Sequence, residues 1–252
     1  MKKLATLTIA LFTVSGAFAQ PKAGTFSLTP RVAFNMANLT GNAYDANYKS
    51  AISSIIGSES SADGNIRAGF AAGVDVNYQI SKHIALSTGL FYSLQGSARN
   101  YSFKIGSLEG ISNYDVNGHR VGSTPFELKD KSKLSLSYLQ IPILANVYLF
   151  KGFAVKAGVQ PGFLLSAKDK EDVTGITSTT SNGRHKTTDV KSNYKSFDFS
   201  VPVGVSYELS NGLMIDARYE IGLTDVVKSG TTLDKNGKNS VIQISLGYKF
   251  KL

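Results

Sequence analysis

Large apolar residues alternate with small or polar ones along eight segments of this 252-residue chain, and no other feature restricts its fold so tightly. In "IRAGFAAGVDVNYQI", Ile66, Ala68, Phe70, Ala72, Val74, Val76, Tyr78 and Ile80 share one face. Arg67, Gly69, Ala71, Gly73, Asp75, Asn77 and Gln79 share the other. A period of two is the pleat of a β-strand, and unlike faces mean unlike surroundings. The pattern recurs in "TFSLTPRVAFNMA", "HIALSTGLFYSLQG", "LSLSYLQIPILANVYLF", "GFAVKAGVQPGFLLS", "SFDFSVPVGVSYEL", "GLMIDARYEIGLTD" and "SVIQISLGYKFKL". Two residues groups break it. Phe91 falls on the polar face, and Leu134 and Leu136 have the opposite parity to Leu139, Ile141, Ile143, Val147 and Leu149. A bulge near Ser137 is expected to reset that register.

The connections alternate in length. Short turns stand at Ser81-Lys82, Lys151-Gly152 and Ser210-Asn211-Gly212, and Asn-Gly is a strong hairpin signal. Long polar loops are expected at about 37–65, 97–133, 167–195 and 225–239, the first with a short helix around Ala51–Ile56. Asn117-Gly118 and Asn236-Gly237 read as hairpin tips rather than as calcium loops, whose twelve-residue spacing they do not fit.

The polar face decides the solvent. A soluble sandwich or barrel would show water a face rich in Lys, Glu, Thr and Gln. Here that face carries Gly69, Ala71, Gly73, Ala85, Gly89, Gly158, Gly162, Gly204, Gly222 and Gly247 between scattered charges. Such a face suits the interior of a small closed barrel, while the uniformly apolar face suits lipid. No run of about 18 apolar residues follows the first segment, so a helical span is excluded, but strands of about 9–11 tilted residues suffice to cross. The expected fold is all-β, an eight-stranded antiparallel up-and-down transmembrane β-barrel with short periplasmic turns and long extracellular loops. Both termini then lie on the short-turn side.

Eight strands leave a lumen that side chains fill, so interior charges must be paired. Arg31, Arg67, Lys156 and Arg218 are the candidate cations, and Asp75, Asp198, Asp216 and Glu220 the candidate carboxylates, of an interior charge network. Tyr78, Tyr92, Tyr207, Tyr219, Tyr248 and Phe250 are candidates for interfacial girdles.

"MKKLATLTIALFTVSGAFAQ" has two lysines, an apolar run and Ala17-Phe18-Ala19, the pattern of a secretory signal cleaved after Ala19. Residues 1–19 are therefore expected to be a signal peptide and 20–252 the barrel domain. The chain has no cysteine, which excludes disulfides, thiolate metal sites and a lipoprotein anchor. Its net charge of +9 is spread over segments that also hold carboxylates, such as "KDKEDV" and "ELKDKSK", and indicates solvated loops rather than nucleic-acid binding. The expected partners are outer-membrane lipid and lipopolysaccharide, the barrel-assembly machinery, and an envelope or secretion protein; the barrel itself is expected to be a monomer.

Several short elements resemble the PorT-like outer-membrane β-barrel family of Bacteroidota. They are Tyr138-Leu139-Gln140-Ile141-Pro142, Gly158-Val159-Gln160-Pro161-Gly162-Phe163-Leu164, Phe197-Asp198-Phe199, Arg218-Tyr219-Glu220-Ile221-Gly222-Leu223-Thr224 and Leu246-Gly247-Tyr248-Lys249-Phe250. The resemblance covers the chain beyond its signal and implies fold and outer-membrane location more than activity. It departs at the end, where Lys251-Leu252 replaces a terminal aromatic, with Phe250 just inside.

A lipid-modifying barrel enzyme would need a histidine base beside a serine and an orienting acid. The three histidines are scattered, with His83 at a short turn and His119 and His185 in different long loops. No catalytic residue, cofactor or metal is assigned. The expected role is structural or surface-binding, carried by the loops at 97–133 and 167–195. Alternatives are a barrel subunit of a secretion or envelope complex, a lipid-modifying enzyme, and a soluble periplasmic barrel that binds a small ligand.

Overall fold

Eight long strands, each hydrogen-bonded to its neighbours in sequence, close into a ring in the computed structural model, which describes residues 22–40, 60–105, 113–114, 120–121, 126–176, 181–228 and 237–252. They are β1 (Phe26–Thr40), β2 (Arg67–Gln79), β3 (Ile84–Ile105), β4 (Phe126–Gln140 and, past Ile141-Pro142, Ile143–Phe150), β5 (Phe153–Ile176), β6 (Phe197–Glu208), β7 (Leu213–Gly222) and β8 (Lys238–Tyr248, continued by Phe250–Lys251). Every pairing is antiparallel, and β8 closes on β1. The signal segment 1–19 and the helix expected at Ala51–Ile56 lie outside the described residues.

The stagger of the ring follows from the register. Phe26 faces Tyr78, then in turn Leu86, Ala145, Ala157, Val203, Tyr219, Ile242 and finally Met36, back on β1. The path returns ten residues further along β1. With about 3.3 Å per residue and 4.8 Å between strands, that stagger over eight strands tilts them by about 41° and gives a backbone radius of about 8 Å. A cylinder this narrow has room inside for side chains only.

The outward residues form one apolar belt. On β7, Leu213, Ile215, Tyr219 and Ile221 are all exposed, with Met214, Asp216, Arg218 and Glu220 buried between them, and Leu223 just past its end is exposed too. Ten residues at that tilt rise about 25 Å along the axis, the height of a bilayer's apolar band. Aromatic residues mark both borders. Phe26, Tyr78, Phe150, Phe153, Tyr248 and Phe250 ring the short-turn end, with Phe26–Tyr78 and Tyr248–Phe250 at 4.8 Å and Phe150–Phe153 stacked at 4.7 Å. Phe70 with Tyr92, and Phe163 with Phe197, stand at the other border.

Gly152 and Gly212 turn two of the hairpins at φ +76° and +90°, where a side chain would be strained. Two expectations are corrected. The segments 97–133 and 167–195 are largely strand rather than loop, because β3, β4 and β5 run on past the belt. The strand Ser60–Asn65 extends β3 on one edge and Ser181–Asp189 extends β5 on the other, giving a sheet that projects beyond the belt on one side of the barrel. The register shift does fall at Ser137–Tyr138, but the extra residue belongs to β5: Ser137 faces Ser166, Tyr138 faces Leu164, and Leu165 is left over. β4 itself keeps one parity, so Leu134 and Leu136 point inward and are buried.

Candidate functional site

The buried face of each strand brings polar side chains to the barrel axis, and they sort into layers. At mid-height Asp216, on β7, is the hub. Its carboxylate meets Arg31 Nη1 at 3.0 Å, Lys156 Nζ at 2.6 Å and Arg218 Nε at 2.7 Å. Asp75 lies across from it, 3.3 Å from Arg31 and 3.9 Å from Arg218. All five side chains are buried. The Arg31 guanidinium also lies over the Phe91 ring, 4.5 Å from its centre. A flat cation on an aromatic face is a favourable pair where water is excluded. Phe91 owes its place to missing side chains around it. A Cβ on Gly73 would stand 2.5 Å from its Cδ1, and one on Gly89 would stand 2.8 Å from its Cε2.

Toward the long-loop end, Glu220 Oε2 accepts from Gln95 Nε2 at 3.1 Å and Gln140 Nε2 at 3.2 Å. Asn35 bridges β1, β3 and β8: it donates to Ser93 Oγ at 3.1 Å and accepts from Gln243 Nε2 at 3.0 Å. One layer further, Asp198 accepts from Thr224 Oγ1 at 2.6 Å, Asn239 Nδ2 at 2.7 Å and the Phe199 amide at 2.9 Å. At the short-turn end Lys249 meets Glu208 at 2.7 Å and donates to Tyr148 Oη at 3.3 Å.

Of the eight charged residues picked from the sequence, Arg31, Asp75, Lys156, Asp216 and Arg218 thus form one contiguous cluster. Glu220 and Asp198 sit on the same axis but are held by neutral donors. Arg67, half-buried where β2 parts from β3, donates to the Gln95 carbonyl and to Ser135 Oγ, both at 2.9 Å, and makes no ion pair among the described residues. From this set the axis holds three buried cations and four buried carboxylates, and half-buried Arg67 brings the formal charges level.

A further layer has no counterpart in the sequence reading. Leu39, Leu134, Leu136, Tyr138, Leu164, Ala167, Tyr194, Val226 and Val227 form a buried apolar cluster above the charges. It is closed by the segments after β5 and β7. A 3-10 turn at Lys191–Asn193 sets Tyr194, which bridges Val227, while the Lys195 amide donates to the Val226 carbonyl at 2.8 Å and the Lys228 amide to the Asn193 carbonyl at 2.9 Å. The signal was available: Val226-Val227 is an apolar pair inside a stretch otherwise read as polar loop.

His83 is exposed at a short turn, and His119 lies outside the described residues. His185 Nδ1 hydrogen-bonds Asp172 Oδ1 on the projecting sheet, and this contact holds the Asp172 carboxyl below its usual range. Among the described residues no group of three or more His, Cys, Asp or Glu could hold a metal ion, and no helix is long and apolar enough to cross a membrane.

Solved structures with a similar trace are outer-membrane barrels. The attachment invasion locus protein Ail of Yersinia pestis is 13% identical over 90% of this chain and 99% of its own, with a TM-score of 0.36. Neisserial surface protein A is 14% identical over 89% and 97%, with a TM-score of 0.35. OprG from Pseudomonas aeruginosa is 11% identical over 91% and 97%, with a TM-score of 0.33. No curated protein sequence matches the chain. The family model described as "Outer membrane protein beta-barrel domain" matches residues 18–228, and the chain belongs to that family.

Proposed function

We propose that this protein is a monomeric, non-catalytic barrel with a filled interior and a structural or surface-binding role, of the PorT-like kind. Its signal is removed after Ala19, and the termini and three short turns lie in the periplasm of a Gram-negative envelope. One observation carries the reading: a continuous apolar belt encloses a neutralised lattice of buried charges. Lipid accounts for the first and water-free packing for the second. The projecting sheet is the surface offered to a partner, and the lipid around the belt includes lipopolysaccharide.

Membrane fractionation with heat-modifiable gel mobility tests it. The expected result is recovery in the outer-membrane fraction with a mobility shift on boiling. A chain that stays monodisperse without detergent would count against it. Protease or antibody access at the 177–180 connection on whole cells reads orientation; protection there and cleavage at Ser210–Gly212 would invert it.

A second reading, a subunit of a secretion or envelope complex, is favoured by the outer edge of Ser181–Asp189, which among the described residues pairs on one side only. An open edge can add a strand from another chain. Recovery of a stoichiometric partner with the barrel from native envelope would select that reading.

A further inference from the structure

We infer that the lipid-facing wall of the barrel carries a binding site for a phosphorylated glycolipid of the outer leaflet, built by Lys131, Lys133, Lys168 and Lys170 just beyond the apolar belt. The inference rests on the reading that the long-loop end faces outward.

The site is made by the bulge. On β5 the buried positions are even up to Leu164, so Lys168 and Lys170 would point inward if the pleat continued. Leu165 is the unpaired residue, and after it Ala167 is buried while Lys168 and Lys170 are exposed. Lys133 faces Lys170 directly, and Ser135 faces Lys168. Residues opposite each other in an antiparallel pair project on the same side. Lys131 and Lys133 keep the parity of Leu139 and Ile143, which meet lipid. Four ammonium groups therefore continue the lipid-facing side of two adjacent strands.

Like charges opposite one another weaken a sheet unless something neutralises them. Two carboxylates are described on this face: Asp172 stands opposite Lys131 and is also bonded to His185, and Asp189 stands opposite Lys168 and also accepts from the Lys191 amide at 2.9 Å. Four lysines thus share two carboxylates, and Lys133 and Lys170, which face each other, leave an excess of positive charge. Height identifies the counter-ion. Lys168 is three residues past Leu165, about 10 Å along the strand, and a lysine reaches about 6 Å back along the wall. That range spans the polar zone next to the hydrocarbon. Lys131 and Lys170 stand one step higher, so the four span a headgroup thicker than a single phosphate. A glycolipid bearing phosphates on a sugar backbone fits both the depth and the charge.

The test uses the full-length protein in neutral detergent micelles, with each variant first shown folded by heat-modifiable mobility. The probes are fluorescent lipid A, its dephosphorylated form, and phosphatidylglycerol, read by anisotropy. Lys131→Gln/Lys133→Gln/Lys168→Gln/Lys170→Gln is expected to bind lipid A at least tenfold more weakly than the wild type. Lys22→Gln/Lys82→Gln/Lys151→Gln, at the other end, is expected to stay within twofold. If the quadruple variant does not fold, the doubles K131Q/K133Q and K168Q/K170Q are each expected to lose threefold or more. Unchanged affinity in the lysine variants would overturn the site. Equal wild-type binding of dephosphorylated lipid A would overturn the phosphate, and equal binding of phosphatidylglycerol would overturn the glycolipid. Micelle binding is blind to orientation, so a failure here leaves the barrel's insertion to its own test.

Discussion

Asp216 is the residue on which the interior depends most. Three cations converge on it, and Asp75 reaches only two of them. Replacing Asp216 with Asn leaves three buried positive charges facing one another, and removing one partner of a buried ion pair costs about 3–5 kcal/mol. Asp198→Asn should cost less, about 1–3 kcal/mol, since its partners are neutral donors. Urea unfolding in lipid vesicles, followed by gel mobility, measures both. Gly73→Ala meets the Leu90 carbonyl as well as the Phe91 ring and should destabilise by about 1–3 kcal/mol, since overpacking strains a filled interior. Asp172 acts outside the belt. Its depressed carboxyl means that the His185 contact stabilises fully above the ordinary aspartate value of 3.8 and is lost as pH falls through the lower folded value. Protection of the Ser181–Asp189 amides should therefore hold from neutral pH to about pH 4 and fall only in stronger acid.

At the scale of the element, parity was legible and strand ends were not. The alternation placed Val74 outward and Asp75 inward from sequence, because a one-residue slip would move every apolar side chain off the lipid face. Val74 is half-way up the belt and exposed, flanked by Pro30 and Leu90. Val74→Arg should cost about 2–4 kcal/mol there, and the same change near a border much less. Refolding titrations of both variants would compare them; equal costs would mean that the belt is misplaced. The ends were hidden for a physical reason. Beyond the belt neither sheet face meets hydrocarbon, so the unlike faces disappear and "ELKDKSK" reads as loop although Glu127 to Lys133 pair with β3 and β5. The Leu165 bulge was hidden too. Its effect shows in sequence only as a parity change, and Leu134 and Leu136 made β4 look like its place. They are apolar and inward because the mouth is sealed by an apolar cluster, which the rule of polar inside and apolar outside does not anticipate.

For the whole molecule the same two facts, a radius of about 8 Å and layered filling, bear on transport. Among the described residues, an ion moving along the axis from the long-loop end meets Tyr194, Val226 and Val227, then Asp198 with Asn239, then Glu220 between two glutamines, then the Asp216 cluster. The layers resist for different reasons. The apolar layer offers no polar group to replace hydration, and the charged layer offers groups already engaged with each other. Removing one should therefore not open a path. In planar bilayers the wild type is expected to give no stable large channel. Tyr194→Ala/Val226→Ser strips part of the apolar seal, yet it should also stay closed, because the ion-paired layer below is intact. Asp216→Asn, with the seal in place, should admit at most brief small openings as three cations left with Asp75 alone draw in anions and water. The combination of Tyr194→Ala, Val226→Ser and Asp216→Asn weakens both the apolar seal and the ion-paired layer, and it should show conductance larger than the sum of the two parent variants. A steady conductance in the wild type, or a fully open Tyr194→Ala/Val226→Ser variant, would show that the charged layer does not bar the axis.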